Sequence, residues 1–168
     1  MRRSAERNAM QLLFKQRFFS WLDSYDIYNE AGETIYAVEG KLSWGHRLEI
    51  YDPAGRHLGT VKEEVLTFLP RFALYIGDTF VGCIRKEFTL FKPRFQLDCN
   101  GWQVQGDLWE WEYEVTAPDG RRVMQASKEL LNWTDTYSLS IARPEDALLC
   151  LMIVLAIDAA KCSSGDCT

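Results

Sequence analysis

Ala147-Leu-Leu-Cys-Leu-Met-Ile-Val-Leu-Ala-Ile157 is an unbroken run of eleven apolar residues near the carboxyl end of a 168-residue chain, and its reading decides the fold. A membrane-spanning helix needs about 20 apolar residues, so the run is too short to cross a bilayer even when extended past Asp158 to Ala160. Pro144 suits a first helical position, and Glu145 and Asp146 lie where the positive end of a helix dipole favours carboxylates. The spacing therefore predicts a helix over residues 144–160. A helix that is apolar on every side has to be surrounded by protein. Burying Leu148, Leu149, Leu151, Met152, Ile153, Val154, Leu155 and Ile157 contributes ~12 to 24 kcal/mol, an upper bound because unfolded chains are already partly compact. That exceeds the net stability of a typical domain, so the helix is predicted to be indispensable for folding.

Outward from this segment the chain repeats. Trp21-Leu-Asp-Ser-Tyr-Asp-Ile-Tyr28 aligns with Trp44-Gly-His-Arg-Leu-Glu-Ile-Tyr51 at a shift of 23 residues, and Thr67-Phe-Leu-Pro-Arg-Phe-Ala-Leu74 aligns with Leu90-Phe-Lys-Pro-Arg-Phe-Gln-Leu97 at the same shift. Asp52-Pro-Ala-Gly-Arg56 is matched by Ala117-Pro-Asp-Gly-Arg121, and Trp133-Thr-Asp-Thr-Tyr137 by Trp21-Leu-Asp-Ser-Tyr25. Gly32, Gly55, Gly77, Gly101 and Gly120 fall 23, 22, 24 and 19 residues apart, among Asn, Asp, Pro and Ala, and read as hairpin tips. Between the tips apolar side chains alternate, as in Phe72, Leu74 and Ile76 or Tyr137, Leu139 and Ile141, which is the period of half-buried strands.

The spacing predicts about twelve strands between Gln11 and Ala142 in antiparallel meander order. So many successive hairpins leave two vulnerable edges unless the sheet closes, and a barrel wide enough for a helix needs more strands than the eight whose side chains alone fill an interior. The predicted fold is mainly β: a closed antiparallel barrel of about twelve strands around a central hydrophobic C-terminal helix. Residues 1–10 are read as a flexible basic N-terminus, 11–160 as one barrel domain and 161–168 as a flexible tail.

Charge and cysteine bound the function. Nineteen Lys and Arg against 24 Asp and Glu give a net charge of −5, which disfavours nucleic acid as a partner. The same charge weakens a reading of Trp44 and Trp133 as stacking platforms for single strands. Five cysteines, odd in number and irregularly spaced, read as reduced thiols in a cytoplasm. No C-x-x-C pair occurs, and the two histidines, His46 and His57, stand eleven apart, so neither a metal site nor any other cofactor is expected. No secretory signal is visible, because Lys15 interrupts the short apolar stretch after Met10.

The opening Phe14-Lys-Gln-Arg-Phe-Phe-Ser-Trp21, the Gly40-Lys41 and Tyr51-Asp52 junctions, Phe91-Lys-Pro-Arg-Phe95, Gly106-Asp107 with Trp109, Trp133-Thr-Asp-Thr-Tyr137 and the closing Leu155-Ala-Ile-Asp158 carry a likeness over nearly the whole chain. The sequence resembles the tubby C-terminal-like fold, shared by tubby proteins, phospholipid scramblases and the LURP-one-related family, and is most similar to the last. Tubby proteins bind phosphoinositide headgroups through basic side chains on the barrel, so the resemblance implies phospholipid binding by analogy. The palmitoylation and calcium segments of scramblases have no counterpart in this chain.

Arg71 and Arg94 hold equivalent places in the Phe-x-Pro-Arg-Phe pair, with Lys92 beside the second and Arg47 at the related place earlier. Gathered together, these four form a candidate headgroup site, because guanidinium forks match phosphate oxygens bidentately, and Arg85 and Lys86 extend it. The competing reading is that these cations guard strand ends and solvate the outer face. In Trp109-Glu-Trp-Glu-Tyr-Glu114 alternation is expected to send Trp109, Trp111 and Tyr113 inward and the glutamates to water, rather than pairing acids across a cleft. Asp23 and Asp135 are read as turn caps, and His46 as a polar turn residue. No nucleophile elbow, phosphate loop or dinucleotide fingerprint occurs, and no residue is assigned a catalytic role. The expected function is a non-enzymatic cytoplasmic binding or scaffold domain, a monomer without a transmembrane segment, docking on anionic phospholipid or phosphoinositide headgroups or on a protein partner, peripherally at the membrane. The alternative is a small-molecule enzyme or carrier with a site at a barrel mouth.

Overall fold

A computed structural model describes residues 9–14, 24–90, 94–131 and 134–163. Twelve strands follow one another: β1 (Met10–Phe14), β2 (Ser24–Tyr28), β3 (Thr34–Ser43), β4 (Gly45–Tyr51), β5 (His57–Glu63), β6 (Arg71–Ile76), β7 (Thr79–Glu87), β8 (Arg94–Asp98), β9 (Gln103–Asp107), β10 (Glu112–Thr116), β11 (Arg122–Leu131) and β12 (Thr134–Ile141). All pair antiparallel in one sheet, and β1 bonds to both β2 and β12, which joins the two ends of the meander. The ring is nearly closed. Its seam falls between β8 and β9, neighbours in sequence that are not paired with each other.

The glycine turns close as the repeat predicts. Gly55 has φ 79°, donates its N–H to the Asp52 carbonyl at 2.9 Å, and the Asp52 N–H in turn reaches the Arg56 carbonyl. The Asp52 carboxylate also accepts from the backbone of Ala54 and Arg56. The turns at Asn29–Glu33 and Ala117–Arg121 repeat the same pair of backbone bonds. A register shift sits beside each of the three, at Tyr28, Tyr51 and Thr116, so one extra residue per turn also adds twist where the barrel needs it.

Antiparallel order sorts the connections onto two ends. The β2–β3, β4–β5, β6–β7, β8–β9 and β10–β11 turns share one end, here the turn end, with the entry to the helix. The β3–β4, β5–β6, β7–β8 and β9–β10 connections share the other, here the mouth.

Pro144 opens a 3-10 turn (Pro144–Asp146) rather than the α-helix itself, which is α1 (Ala147–Ser163). It threads the barrel from the turn end to the mouth. Leu151, Met152, Ile153, Val154, Leu155 and Ala156 are all buried and meet inward residues such as Leu48, Ile50, Phe72, Leu74, Ile84, Leu139 and Ile141. The closest seat is on β5, where a Cβ on Gly59 would stand 3.2 Å from Met152 Sδ. Cys83, Cys99 and Cys150 are buried free thiols, and burial pushes Cys99 up to about 11. Among the described residues no helix is long and apolar enough to cross a membrane.

Polar groups enter the core at the helix end nearest the mouth. Asp158 and Lys161, three residues apart on α1, are both buried, and Lys161 Nζ lies 5.1 Å from the centre of the Trp111 ring. Burial raises the Asp158 carboxyl to about 7 against the opposing pull of Lys161. Burial likewise disfavours the Lys161 ammonium, which Asp158, Asp107 and Glu110 support. The Tyr25 and Tyr113 phenols, on β2 and β10, are raised by burial first and then by Asp158.

Three outcomes follow from this packing. A chain ending at Arg143 is expected to give no soluble, cooperatively melting protein, and Leu151→Ala to lose ~2 to 5 kcal/mol in denaturant titration. The folded state holds the Asp158 proton more tightly than the unfolded chain, whose carboxyl titrates near the ordinary 3.8. That contribution is complete below about pH 4 and is lost as pH rises toward 7. Thermal melts across this window are expected to show the wild type losing ground to Asp158→Asn by on the order of a few kcal/mol, with the difference flat at higher pH.

Candidate functional site

Strand register decides which cations meet. Arg71 on β6 stands directly opposite Arg85 on β7, and Arg85 opposite Gln96 on β8. Glu87 and Arg94 form the next outward pair, which sets Arg94 diagonally beside Arg85. On the other side Arg47 on β4 lies between Lys41 on β3 and Lys62 on β5. Phe72, Leu48 and Ile84 next to these cations are buried, so alternation turns the arginines to the outer wall. Arg71, Arg85 and Arg94 thus form one group near the mouth. Arg47 belongs to the same wall, two strands from Arg71 and two residues further from the mouth. Lys92, Asp23 and Trp133 lie outside the described residues.

Most of these cations have an acid at hand. Arg47 Nε donates to Glu49 Oε1 at 2.6 Å, and Glu49 is buried. Its other oxygen lies 2.6 Å from His57 Nε2. The same ring nitrogen is 3.1 Å from Thr60 Oγ1, so Glu49, His57 and Thr60 meet at one atom and do not form a series running through both ring nitrogens. Arg71 Nε is 2.9 Å from Glu64 Oε2, close enough for an ion pair but off the N–H axis, and no acceptor among the described residues satisfies that N–H. Cys83 foremost, together with Glu64 and Asp98, holds the Arg71 guanidinium above even its usual range. Arg85 Nε is buried and has no hydrogen-bond partner among the described residues.

Several residues sit elsewhere than the sequence suggests. Trp109 does not point inward: it is 39% exposed in the β9–β10 connection, whose backbone N–H groups at Trp109 and Glu110 are held by the Asp107 carboxylate. β10 starts only at Glu112, after Trp111 at φ 59°, so the strand alternation covers Tyr113 and Val115 but not Trp109. The backbone of Asp135 is inside β12, opposite Leu130, rather than in a turn. His46 is the second residue of β4, and its backbone N–H donates to Glu63. Burial lowers its ring, with Glu63 opposing.

Two concave regions bear on the small-molecule alternative. At the mouth, the side chains of Asp158, Lys161 and Trp111 occupy the barrel axis. The larger space, about 770 Å³, is a groove along the seam, lined by Phe95, Leu97, Trp102 and Leu108 with Arg94 and Gln103. It lies on the barrel wall rather than at the mouth.

The fold is shared with known proteins. The chain matches the LURP-one-related family over residues 10–158. It is 36% identical over 151 residues to the uncharacterised protein YxjI of Bacillus subtilis (strain 168), covering 89% of this chain and 92% of the relative. An X-ray structure of an Arabidopsis thaliana protein superposes with a TM-score of 0.63 at 16% identity, over 90% of this chain and 91% of the other. A family match from β1 to Asp158 within α1 takes in every strand of the barrel and most of its plug, and on that ground this chain belongs to the LURP-one-related family.

Proposed function

We propose that this domain is a non-enzymatic docking module whose outer wall, between β4 and β8, binds anionic phospholipid headgroups, phosphoinositides among them. The observation that carries the reading is the Arg71–Arg85 pair. Like charges placed directly opposite on adjacent strands destabilise a sheet. Here the two arginines stand opposite in register, Arg71 is ion-paired with Glu64, and each has a buried Nε–H that lacks a hydrogen-bond acceptor among the described residues. Buried donors are almost always satisfied, so such a pair is suited to an oxygen-rich anion supplied from outside. Arg94 stands diagonally beside them, and Arg47 and Lys62 continue the wall. The same geometry gives a reason why these positions repeat in the sequence as Pro-Arg-Phe. A small-molecule site at the mouth is the weaker reading, since the side chains of α1 fill the axis.

Co-sedimentation with phosphatidylcholine vesicles, with and without phosphoinositide, tests the proposal. Binding at low salt is expected to rise with phosphoinositide and to fall about tenfold or more when Arg71 and Arg94 are both reversed to Glu. No binding at low salt, or binding indifferent to the double reversal, sinks it.

A further inference from the structure

The mouth carries large apolar side chains that the core does not absorb. Trp44, between β3 and β4, is 90% exposed. The β5–β6 connection raises Leu66 at 103% and Phe68 at 95%, and the residues after β7 raise Phe88 at 74% and Leu90 at 81%. These three connections are neighbours on one arc of the rim. At the turn end the corresponding positions are Asn, Asp, Gly, Pro and Glu, and the apolar exceptions there, Ile76 and Phe80, are less exposed, with Phe80 packed edge-on to Tyr75.

The tips are built features. Leu66 adopts φ 71°, a left-handed conformation that a leucine takes only at a penalty and that Gly or Asn takes readily. A fully exposed apolar side chain on a strained backbone loses twice over for stability, and such outliers gather at functional positions. The loop beneath is braced: Glu64 N–H donates to the Arg71 carbonyl at 2.8 Å, and Thr67 Oγ1 to the Glu64 carbonyl at 3.1 Å. Val65 packs against the Trp44 turn so tightly that a Cβ on Gly45 would stand 2.8 Å from its Cγ1. The two connections are thereby one platform.

Resting on the headgroup reading above, we propose that the domain meets an anionic bilayer end-on, with Trp44, Leu66, Phe68, Phe88 and Leu90 inserted below the headgroups. The cations stand close behind these tips along the chain. Arg47 follows Trp44 by three residues, Arg71 follows Phe68 by three and Arg85 precedes Phe88 by three. Three residues reach at most roughly 10 Å. Interfacial apolar groups bury about 5 to 10 Å into the headgroup and acyl boundary, so inserted tips bring the arginines level with lipid phosphates. Tryptophan at such a boundary is the residue membranes favour there. Separate projecting tips also suit a fluid surface better than the flat, well-packed patch of a protein interface.

The test uses the full chain with vesicles of phosphatidylcholine, phosphatidylserine and phosphoinositide, prepared with and without brominated acyl chains. Brominated lipid is expected to quench tryptophan emission, and Trp44→Phe to remove a clear part of that quenching. Leu66→Asp with Phe68→Asp is expected to weaken vesicle binding at least tenfold while leaving affinity for a water-soluble inositol phosphate headgroup unchanged. Leu66→Gly is expected to weaken vesicle binding without lowering the thermal midpoint, which a purely structural leucine would not allow. Vesicle binding that persists in the Asp variants, with quenching equal in wild type and Trp44→Phe, overturns insertion while leaving headgroup docking intact. Loss of soluble-headgroup binding in the wild type sinks the docking reading instead. A dimer in solution that the Asp variants split, without vesicle binding, assigns the tips to a second copy and likewise overturns insertion.

Discussion

The burial of α1 inside the sheet is the constraint on which the rest of the structure depends. A helix with no polar side cannot face water, and a twelve-stranded ring has an interior too wide for strand side chains to fill. Each half removes the other's defect: the strands give Leu151 to Ala156 an apolar lining, and the helix occupies the space that Phe72 and Leu74 on β6 and Leu139 and Ile141 on β12 reach from opposite walls. Because the helix follows all twelve strands in the sequence, the ring has to be assembled around, or together with, a segment that comes after them. The β1–β12 pairing that joins the meander is likewise between distant residues. Folding is therefore dominated by contacts of long sequence separation, which makes it slow in comparison with a helical bundle.

The seam has its own logic. β8 and β9 are joined by Cys99 to Trp102, and the Trp102 N–H donates to the Cys99 carbonyl, yet the strands do not pair. A short connection that would ordinarily make a hairpin here makes a gap, so the two edges the meander should lose are brought side by side instead of sealed. Phe95, Leu97 and Trp102 cover the inner side of that gap, and β8 and β9 are each only five residues long, which limits the bare edge.

How much of this was legible in the sequence follows from which interactions are local. The helix, the strand count and the glycine turns were readable because each depends on residues within one repeat: eleven apolar residues in a row, alternation by two, and Gly where φ turns positive. The site was legible only in part. Arg71 and Arg94 stand out because the repeat places them alike, but their meeting through Arg85 depends on the β6–β7 register, which shifts at Leu74 and Tyr75 in a way no residue pattern announces. Trp109 misleads because an alternating stretch continues through a turn held by Asp107. The seam and the exposed tips were missed for a common reason. An apolar residue in a sequence is read as core by default, whereas Leu66 and Phe68 are apolar in a loop whose position over the rim is set by closure of the whole ring.

The acidic balance of the chain does not oppose contact with an anionic surface, because charge acts over a short range. Screening at physiological ionic strength confines interactions to about 8 Å. A strand of seven residues is roughly 23 Å long, so the two ends of the barrel are nearly three screening lengths apart. The turn end bears Glu30, Glu33, Asp52, Asp78, Asp119, Glu145 and Asp146 against Arg56, Arg121, Arg122 and Arg143. A local excess of acids thus lies where a membrane at the mouth cannot sense it, and it disfavours approach by the wrong end. On the wall near the mouth, Glu49 and Glu64 hold Arg47 and Arg71 in fixed positions. Such pairing lowers the long-range attraction of the arginines but restrains their side chains, so the proposed docking of a phosphate would cost less rotamer freedom. Under that proposal affinity would be modest at a distance and specific on contact, and the acids beside the arginines would shape the site.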